Sequence, residues 1–223
     1  MMRSRYFSCV ARNCLVVLSA IMLVAGCRSV GQPMALSKSS GALDLSRKSI
    51  VIFTVRTTNI YKPDHQPNLE RVAILPANCR KPVTFQVDKP SSRSAKFCDY
   101  MVSVEIEPGV HALKTVAGTA LGMSLLLSQN SFEFQVDGRF EALTNAVTYI
   151  GHVDMKNRER KRGEPRSGPI NPILPQSVAG FLGGTFDVSV SDLQETDIPL
   201  FVRTYPCLRE AMIGTAIMSL PVK

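Results

Sequence analysis

Several catalytic and ligand-binding signatures are missing from these 223 residues. There is no HExxH, CxxC, GxSxG, Walker loop or EF-hand loop. Those absences remove the commonest short-motif routes to zinc hydrolysis, thiol exchange, acyl transfer, nucleotide binding and calcium binding. Histidine is scarce: His65, His111 and His152 are scattered over 88 positions. A metal centre needs three or four His, Cys, Asp or Glu side chains to converge. No local spacing sets that up, so no metal, cofactor or catalytic residue is expected. His111 follows a turn and His152 shares a strand parity with Thr148 and Asp154, which reads as solvent-facing. No acid precedes Asp44. The apolar run CLVVLSAIMLVAG, residues 14–26, has 13 members, fewer than the roughly 20 needed to cross a bilayer as a helix.

What stands at the start is a leader pattern. Arg3, Arg5 and Arg12 give a positive front, the apolar run follows, and Ala25 and Gly26 are the small residues of a cleavage site. This predicts a signal peptide over residues 1–26. Val24-Ala25-Gly26-Cys27 resembles the lipobox of bacterial lipoproteins, in which small residues fit a peptidase groove and the thiol is acylated. The resemblance implies cleavage between Gly26 and Cys27, with Cys27 carrying two or three fatty chains, palmitate among them. One chain binds only marginally, whereas two hold firmly. The alternative is ordinary secretion with Cys27 a spare thiol. Arg28, where an Asp would hold an enteric lipoprotein back, implies sorting to the outer membrane, facing the periplasm or the cell surface.

Removing the leader leaves 197 of the 223 residues and lowers the formal charge from +8 to +5. That length suits one domain with a substantial core. The positive charge favours anionic surfaces, but an exported, membrane-tethered chain is in the wrong compartment for nucleic acid. Cys9 and Cys14 leave with the leader and Cys27 is acylated, so Cys79, Cys98 and Cys207 remain. In an oxidising compartment one bridge is expected, with Cys79–Cys98 the preferred pair because the segment between them is short and turn-rich. The alternative is three buried, reduced cysteines.

Residues 27–48 are small and polar and read as a flexible tether, followed by one domain over 49–223. From residue 49 the dominant period is two. Val83, Phe85 and Val87 alternate with polar neighbours, as do Val102, Val104 and Ile106, then Phe132, Phe134 and Val136, then Phe186, Val188 and Val190. Such alternation marks strands with one buried face. SIVIFTV, residues 49–55, is apolar on both parities and suits a strand buried on both faces. Glu107-Pro108-Gly109-Val110 fits a type II turn, and Asp137-Gly138 is a hairpin signal. AVTYIGHVDM predicts a further strand with Val147, Tyr149 and Val153 on one side. Ile198, Phe201, Val202 and Tyr205 form a helical stripe, with Thr196 as cap, Pro199 in the first turn and Pro206 as stop. IGTAIMSLP reads as a last edge strand. The predicted fold is mainly β, an antiparallel β-sandwich of about seven or more strands with one short C-terminal helix.

The stretch DMKNRERKRGEPRSGP, residues 154–169, holds six basic and three acidic residues. Lys156, Arg158, Arg160, Lys161, Arg162 and Arg166 fit contact with an anionic lipid surface or an acidic envelope protein; the alternative is a solvated loop. The Pro-rich run after it carries Ile170, Ile173 and Leu174, which a mere linker would not need. GFLGGT, residues 180–185, leads into a strand rather than a helix and reads as a bent strand entry, not a phosphate cradle. Cys207 with a histidine and an acid would be the only thiol-hydrolase constellation on offer.

VRTTNIYKPDHQPNLERV, YIGHVDMKNRER, EPRSGPINPILPQSVAGFLGGTFDVSVSD and DIPLFVRTYPCL together resemble a set of uncharacterised proteobacterial lipoproteins and exported proteins, over most of residues 49–220. The resemblance implies one exported β-rich domain and brings no activity with it. EPGVHALKTV is similar to turns of carboxypeptidase-regulatory-like and PEGA sandwich modules, and the anchor-plus-strands plan distantly resembles type VI secretion lipoproteins. The leading expectation is a non-enzymatic, lipid-anchored envelope lipoprotein with a binding or scaffolding role. The alternatives are an accessory subunit of a secretion or envelope-assembly machine, docking through residues 156–174, and an envelope hydrolase.

Overall fold

Strand β1 (Ser49–Asn59) is buried over its first seven residues, as its two-parity apolar pattern requires. Val51, Phe53 and Val55 face one cluster and Ile50 and Ile52 the other, so apolar layers cover both faces of the sheet. The computed structural model describes residues 31–120, 131–168 and 183–221. The remaining strands are β2 (Pro67–Pro76), β3 (Val83–Gln86), β4 (Ser92–Arg93), β5 (Cys98–Ile106), β6 (Gly109–Ala120), β7 (Ser131–Ala142), β8 (Val147–Glu159), β9 (Gly184–Ser191) and β10 (Ile213–Thr215). Helix α1 (Gln194–Thr204) and a 3-10 turn (Pro206–Leu208) lie between β9 and β10. Among the described residues no helix is long and apolar enough to cross a membrane.

Two sheets form. One runs β10-β8-β1-β5-β4 with β9 also on β8; the other runs β3-β2-β6-β7. The fold is the expected mainly-β sandwich with a short helix near the C-terminus. Most pairings are antiparallel, but β1 and β10 each lie parallel to β8, which alternation along a strand does not reveal. Phe85, Leu113, Val116, Phe132 and Phe134 of one sheet meet Tyr100, Val102, Val104, Val153 and Phe186 of the other in the inter-sheet core. On the far side of the first sheet, Phe201, Tyr205 and Leu208 cover Ile50, Ile52, Val147 and Tyr149. The helix is thus a third layer, laid down by the stripe at Phe201 and Tyr205. It starts earlier than Thr196, with the Asp192 carboxylate accepting from the Gln194 amide at 3.1 Å, and Pro199 lies inside it. Pro206 stops it and opens the 3-10 turn.

Local backbone chemistry explains two departures. Asp137-Gly138 does not turn a hairpin: both residues lie inside β7, where the register with β6 shifts between Leu113 and Thr115. Asp137 adopts φ 54°, a left-handed state that Asp tolerates, and makes a bulge with its carboxylate on Lys114. In β8, Tyr149 pairs with Ile52 but His152 with Thr54, so two residues, Ile150 and Gly151, oppose Phe53. Gly151 has φ 109°, which only glycine adopts cheaply. The bulge reverses the parity, so Val153 joins the inter-sheet core while Val147 and Tyr149 lie under the helix. The one-sided grouping of Val147, Tyr149 and Val153 is therefore corrected.

The tether expectation is also corrected over its described part. Gln32 bridges to β3, its amide donating to Thr84 O at 2.8 Å, and the Ala35 amide donates to Ser103 O at 2.9 Å. Leu36 is 1 % exposed, and Leu43 and Leu45 pack on the helix-side layer. β4 has only two residues, which leaves the outer edge of β5 unpaired by β4 beyond Asp99; an open edge is a liability, and Ala35 and Leu36 cover it at Ser103.

Gly151→Ala is expected to destabilise the fold by about 2 kcal/mol or more in urea unfolding, through the positive φ and overpacking. The added Cβ would sit 3.0 Å from Val190 Cγ1 and 3.1 Å from Ser191 O. Gly41→Ala, with nothing within 4 Å, is the control; equal midpoints for the two would refute the role given to the bulge.

Candidate functional site

The re-phased β8 places Tyr149 and His152 on the helix-facing side of the sheet, next to Thr54 of β1. From above, α1 lowers Asp197, one helical turn before Phe201. Thr54 Oγ1 donates to Asp197 Oδ2 at 2.5 Å and Tyr149 OH donates to the same oxygen at 2.7 Å. His152 Nδ1 lies 2.7 Å from Thr54 Oγ1. A carboxylate only accepts, so the Thr54 proton points at Asp197 and its oxygen receives a hydrogen bond from His152. The His152 proton is thereby fixed on Nδ1. Nε2 has no partner among the described residues. Asp197 is 7 % exposed. Burial, then the Asp197 hydrogen bond, pushes the Tyr149 hydroxyl far above its ordinary value of 10, so it remains a neutral donor.

A cleft of about 460 Å³ opens over this chain of hydrogen bonds. Leu193, Thr196, Leu200 and Arg203 of the helix face form one wall, and Arg56, Asp99 and the Ser91–Ser92 strand edge the other. Arg56 is held by Asp99 in a two-pronged pair, Nε to Oδ1 at 2.7 Å and Nη2 to Oδ2 at 2.9 Å. Its guanidinium carbon lies 4.3 Å from the Phe97 ring centroid. The Asp99 hydrogen bond raises the Arg56 pKa. Arg203 has no side-chain partner among the described residues.

The order of groups constrains the chemistry. In a hydroxyl-nucleophile triad the imidazole lies between hydroxyl and carboxylate and takes the hydroxyl proton. Here the hydroxyl lies between imidazole and carboxylate, and its proton is already committed. The Thr54 oxygen is therefore a connector and not an activated nucleophile.

No protein-family model and no curated protein matches this chain. The site must be read from its own chemistry.

The residues marked from sequence lie elsewhere. Gly26 and Cys27 fall outside the described residues, as do Ile170, Ile173 and Leu174. The Cys79–Cys98 bridge is corrected: both are free thiols, Cys79 exposed and Cys98 buried. Cys98 opens β5, whereas Cys79 borders a hollow with Glu105, Ile106 and Glu107 beyond its other end. Nine strand residues separate the two sites by about 26 Å, far beyond the 7 Å reach of a disulfide. Cys207 packs against the helix-side layer, and among the described residues no three His, Cys, Asp or Glu side chains converge to hold a metal ion. Gly184 and Thr185 do begin a strand, β9.

The basic stretch is largely self-neutralised. Arg158 binds Glu164 at 2.7 Å and Asp187 at 2.6 Å, which pulls the Glu164 pKa down to about 2. Lys156 pairs with Asp154 at 2.9 Å and Arg160 donates to Glu164 O at 2.8 Å. Arg166 is also engaged. Lys161 and Arg162 stay exposed at the turn.

The Thr54–His152–Asp197 group is absent from short-motif reading because 98 and 143 positions separate Thr54 from its two partners. One signal did exist: Asp197 is an acid on the buried face of an apolar helical stripe. His111, read as solvent-facing, is 4 % exposed; it stacks on Phe140 and donates from Nε2 to Glu107 O at 2.8 Å.

Asp197→Ala is expected to cost about 2–3 kcal/mol in urea unfolding, since two hydroxyls lose their acceptor, with Asp197→Asn retaining part. Equal loss for both would show that the hydrogen bonds contribute nothing. Burial holds the His111 pKa below its ordinary 6.5. The unfolded chain therefore takes up the proton first as pH falls. Stability is full above about 6.5 and is lost as pH falls through the lower folded-state value. His111→Gln should reduce the loss of unfolding free energy between about pH 7.5 and pH 5; an unchanged loss would contradict this.

Proposed function

We propose that this chain is a non-enzymatic, lipid-anchored lipoprotein of the bacterial outer membrane whose β-sandwich binds another envelope component. The observation that carries it is Val24-Ala25-Gly26-Cys27 closing an apolar run behind three arginines. The likeness of four internal stretches to exported proteobacterial lipoproteins supports the same assignment.

The binding half of the reading draws on the cleft. Its hydroxyl is already spent on a carboxylate, and its walls carry cations and exposed apolar side chains, a composition suited to recognition. A short lead supports a membrane-apposed domain. Gln32 is five residues after Cys27 and its backbone is bonded to β3, so an acylated Cys27 leaves at most about 18 Å of extended chain. The exposed Lys161 and Arg162 would add contacts to anionic lipid where they face it.

Cells fed labelled palmitate are expected to incorporate it into the wild-type protein and not into Cys27→Ser, which should also keep its leader. Absence of label in the wild type, or normal processing and membrane retention of Cys27→Ser, would overturn the anchor.

A further inference from the structure

The helix-side cleft has an imbalance between donors and acceptors. Its two carboxylates are engaged internally: Asp99 by both prongs of Arg56, and Asp197, through Oδ2, by the Thr54 and Tyr149 hydroxyls. The cationic and donor groups are not. Among the described residues Arg56 Nη1 and the Arg203 guanidinium have no partner, and Ser92 lines the same space. His152 gives Nδ1–H to Thr54 and its ring lines the cleft. Guanidinium N–H groups left over beside carboxylates that are already engaged favour an acceptor-rich ligand. Beside these groups, Leu200 and Leu193, the latter 41 % exposed, add apolar wall to a cleft of about 460 Å³.

We propose that the cleft between α1 and the β4–β5 edge binds a small organic oxyanion, with Arg203 and Arg56 Nη1 on the oxygens and Leu193 and Leu200 on the carbon body. This deepens the binding role proposed above and rests on it. The hydrogen-bonded chain beneath is then a positioning device. Asp197 fixes the Thr54 proton, Thr54 fixes the His152 tautomer, and the imidazole ring is held at the cleft without reorganisation.

The test uses the full chain in detergent micelles with ¹³C-labelled histidine. Three ring signals are assigned with His65→Gln, His111→Gln and His152→Gln. Phenyl phosphate, butyrate and inorganic phosphate are titrated at constant ionic strength. The expected result is a saturable shift of the His152 signal alone, with phenyl phosphate and butyrate binding more tightly than inorganic phosphate. Arg203→Ala, an exposed position that leaves the fold unperturbed, should weaken binding by about tenfold or more. Three results would overturn the proposal. The first is a His152 signal unmoved by all three probes over millimolar concentrations. The second is unchanged affinity in Arg203→Ala. The third, equal affinity for phenyl phosphate and inorganic phosphate, overturns the assignment of Leu193 and Leu200. Palmitate labelling reads the anchor independently, so failure of the cleft and failure of the lipoprotein reading are told apart.

Discussion

The backbone of Gly151, at φ 109°, lets Ile150 and Gly151 together face Phe53, and this one-residue excess re-phases β8 beyond it. In an unbroken strand, residues three apart point to opposite faces. Tyr149 and His152 are three apart, yet both lie beneath α1, because the bulge absorbs one step. The same residue marks the changeover of partners along β8: β10 pairs with Val147–Tyr149 and β9 takes over at His152. Remove the excess residue and His152 would point into the inter-sheet core, where Phe186 and Phe132 already pack at 5.2 Å. The polar chain to Asp197 could not form.

That geometry shows which kinds of information are legible in a linear sequence. The double-sided burial of β1 was readable because Ile50 through Val55 satisfies both parities at once, and only a strand covered on both faces tolerates that. The α1 stripe was readable because Phe201 and Tyr205 recur at the helical period. Bulges are different: Asp137-Gly138 and Ile150-Gly151 each hold a glycine inside an alternating run, and a local signal does not say whether the chain reverses or merely slips. Pairing decides it, and pairing is non-local. The absent Cys79–Cys98 bridge has the same origin. Their separation in sequence is modest, but β5 runs its full length between the two positions. Residues 32–45 misled by composition, since small polar residues surround the few side chains, Met34, Leu36 and Leu43, that seal the sandwich.

The helix-side cleft also shows how one cluster of residue types permits different roles. A threonine, a histidine and an aspartate within hydrogen-bonding distance suggest catalysis, but the sequence of proton donation decides. With Thr54 donating to Asp197 and accepting from His152, the hydroxyl has no proton to surrender to the imidazole. Tyr149, desolvated and bonded to the same carboxylate oxygen, reinforces the direction. What remains available at the surface is a pair of guanidinium groups beside the imidazole ring. The guanidinium N–H groups make this a donor surface backed by a buried carboxylate.

Asp197 is where the stability and the proposed recognition meet. A buried carboxylate without a cationic partner is costly, and two hydroxyl donors offset that cost only while α1 stays seated on the sheet. The helix has no side-chain cap hydrogen bond at its N-cap residue Leu193. The tie from Asp197 to Thr54 and Tyr149 is therefore the polar restraint that registers α1 against β1 and β8, with Phe201 supplying the apolar one four residues on. Because Arg203 lines the same cleft as Asp197, seating the carboxylate also sets the distance between the Arg203 guanidinium and Arg56 across the cleft. The spacing of the donors offered to a ligand is thus inherited from the contact that docks the third layer onto the sandwich.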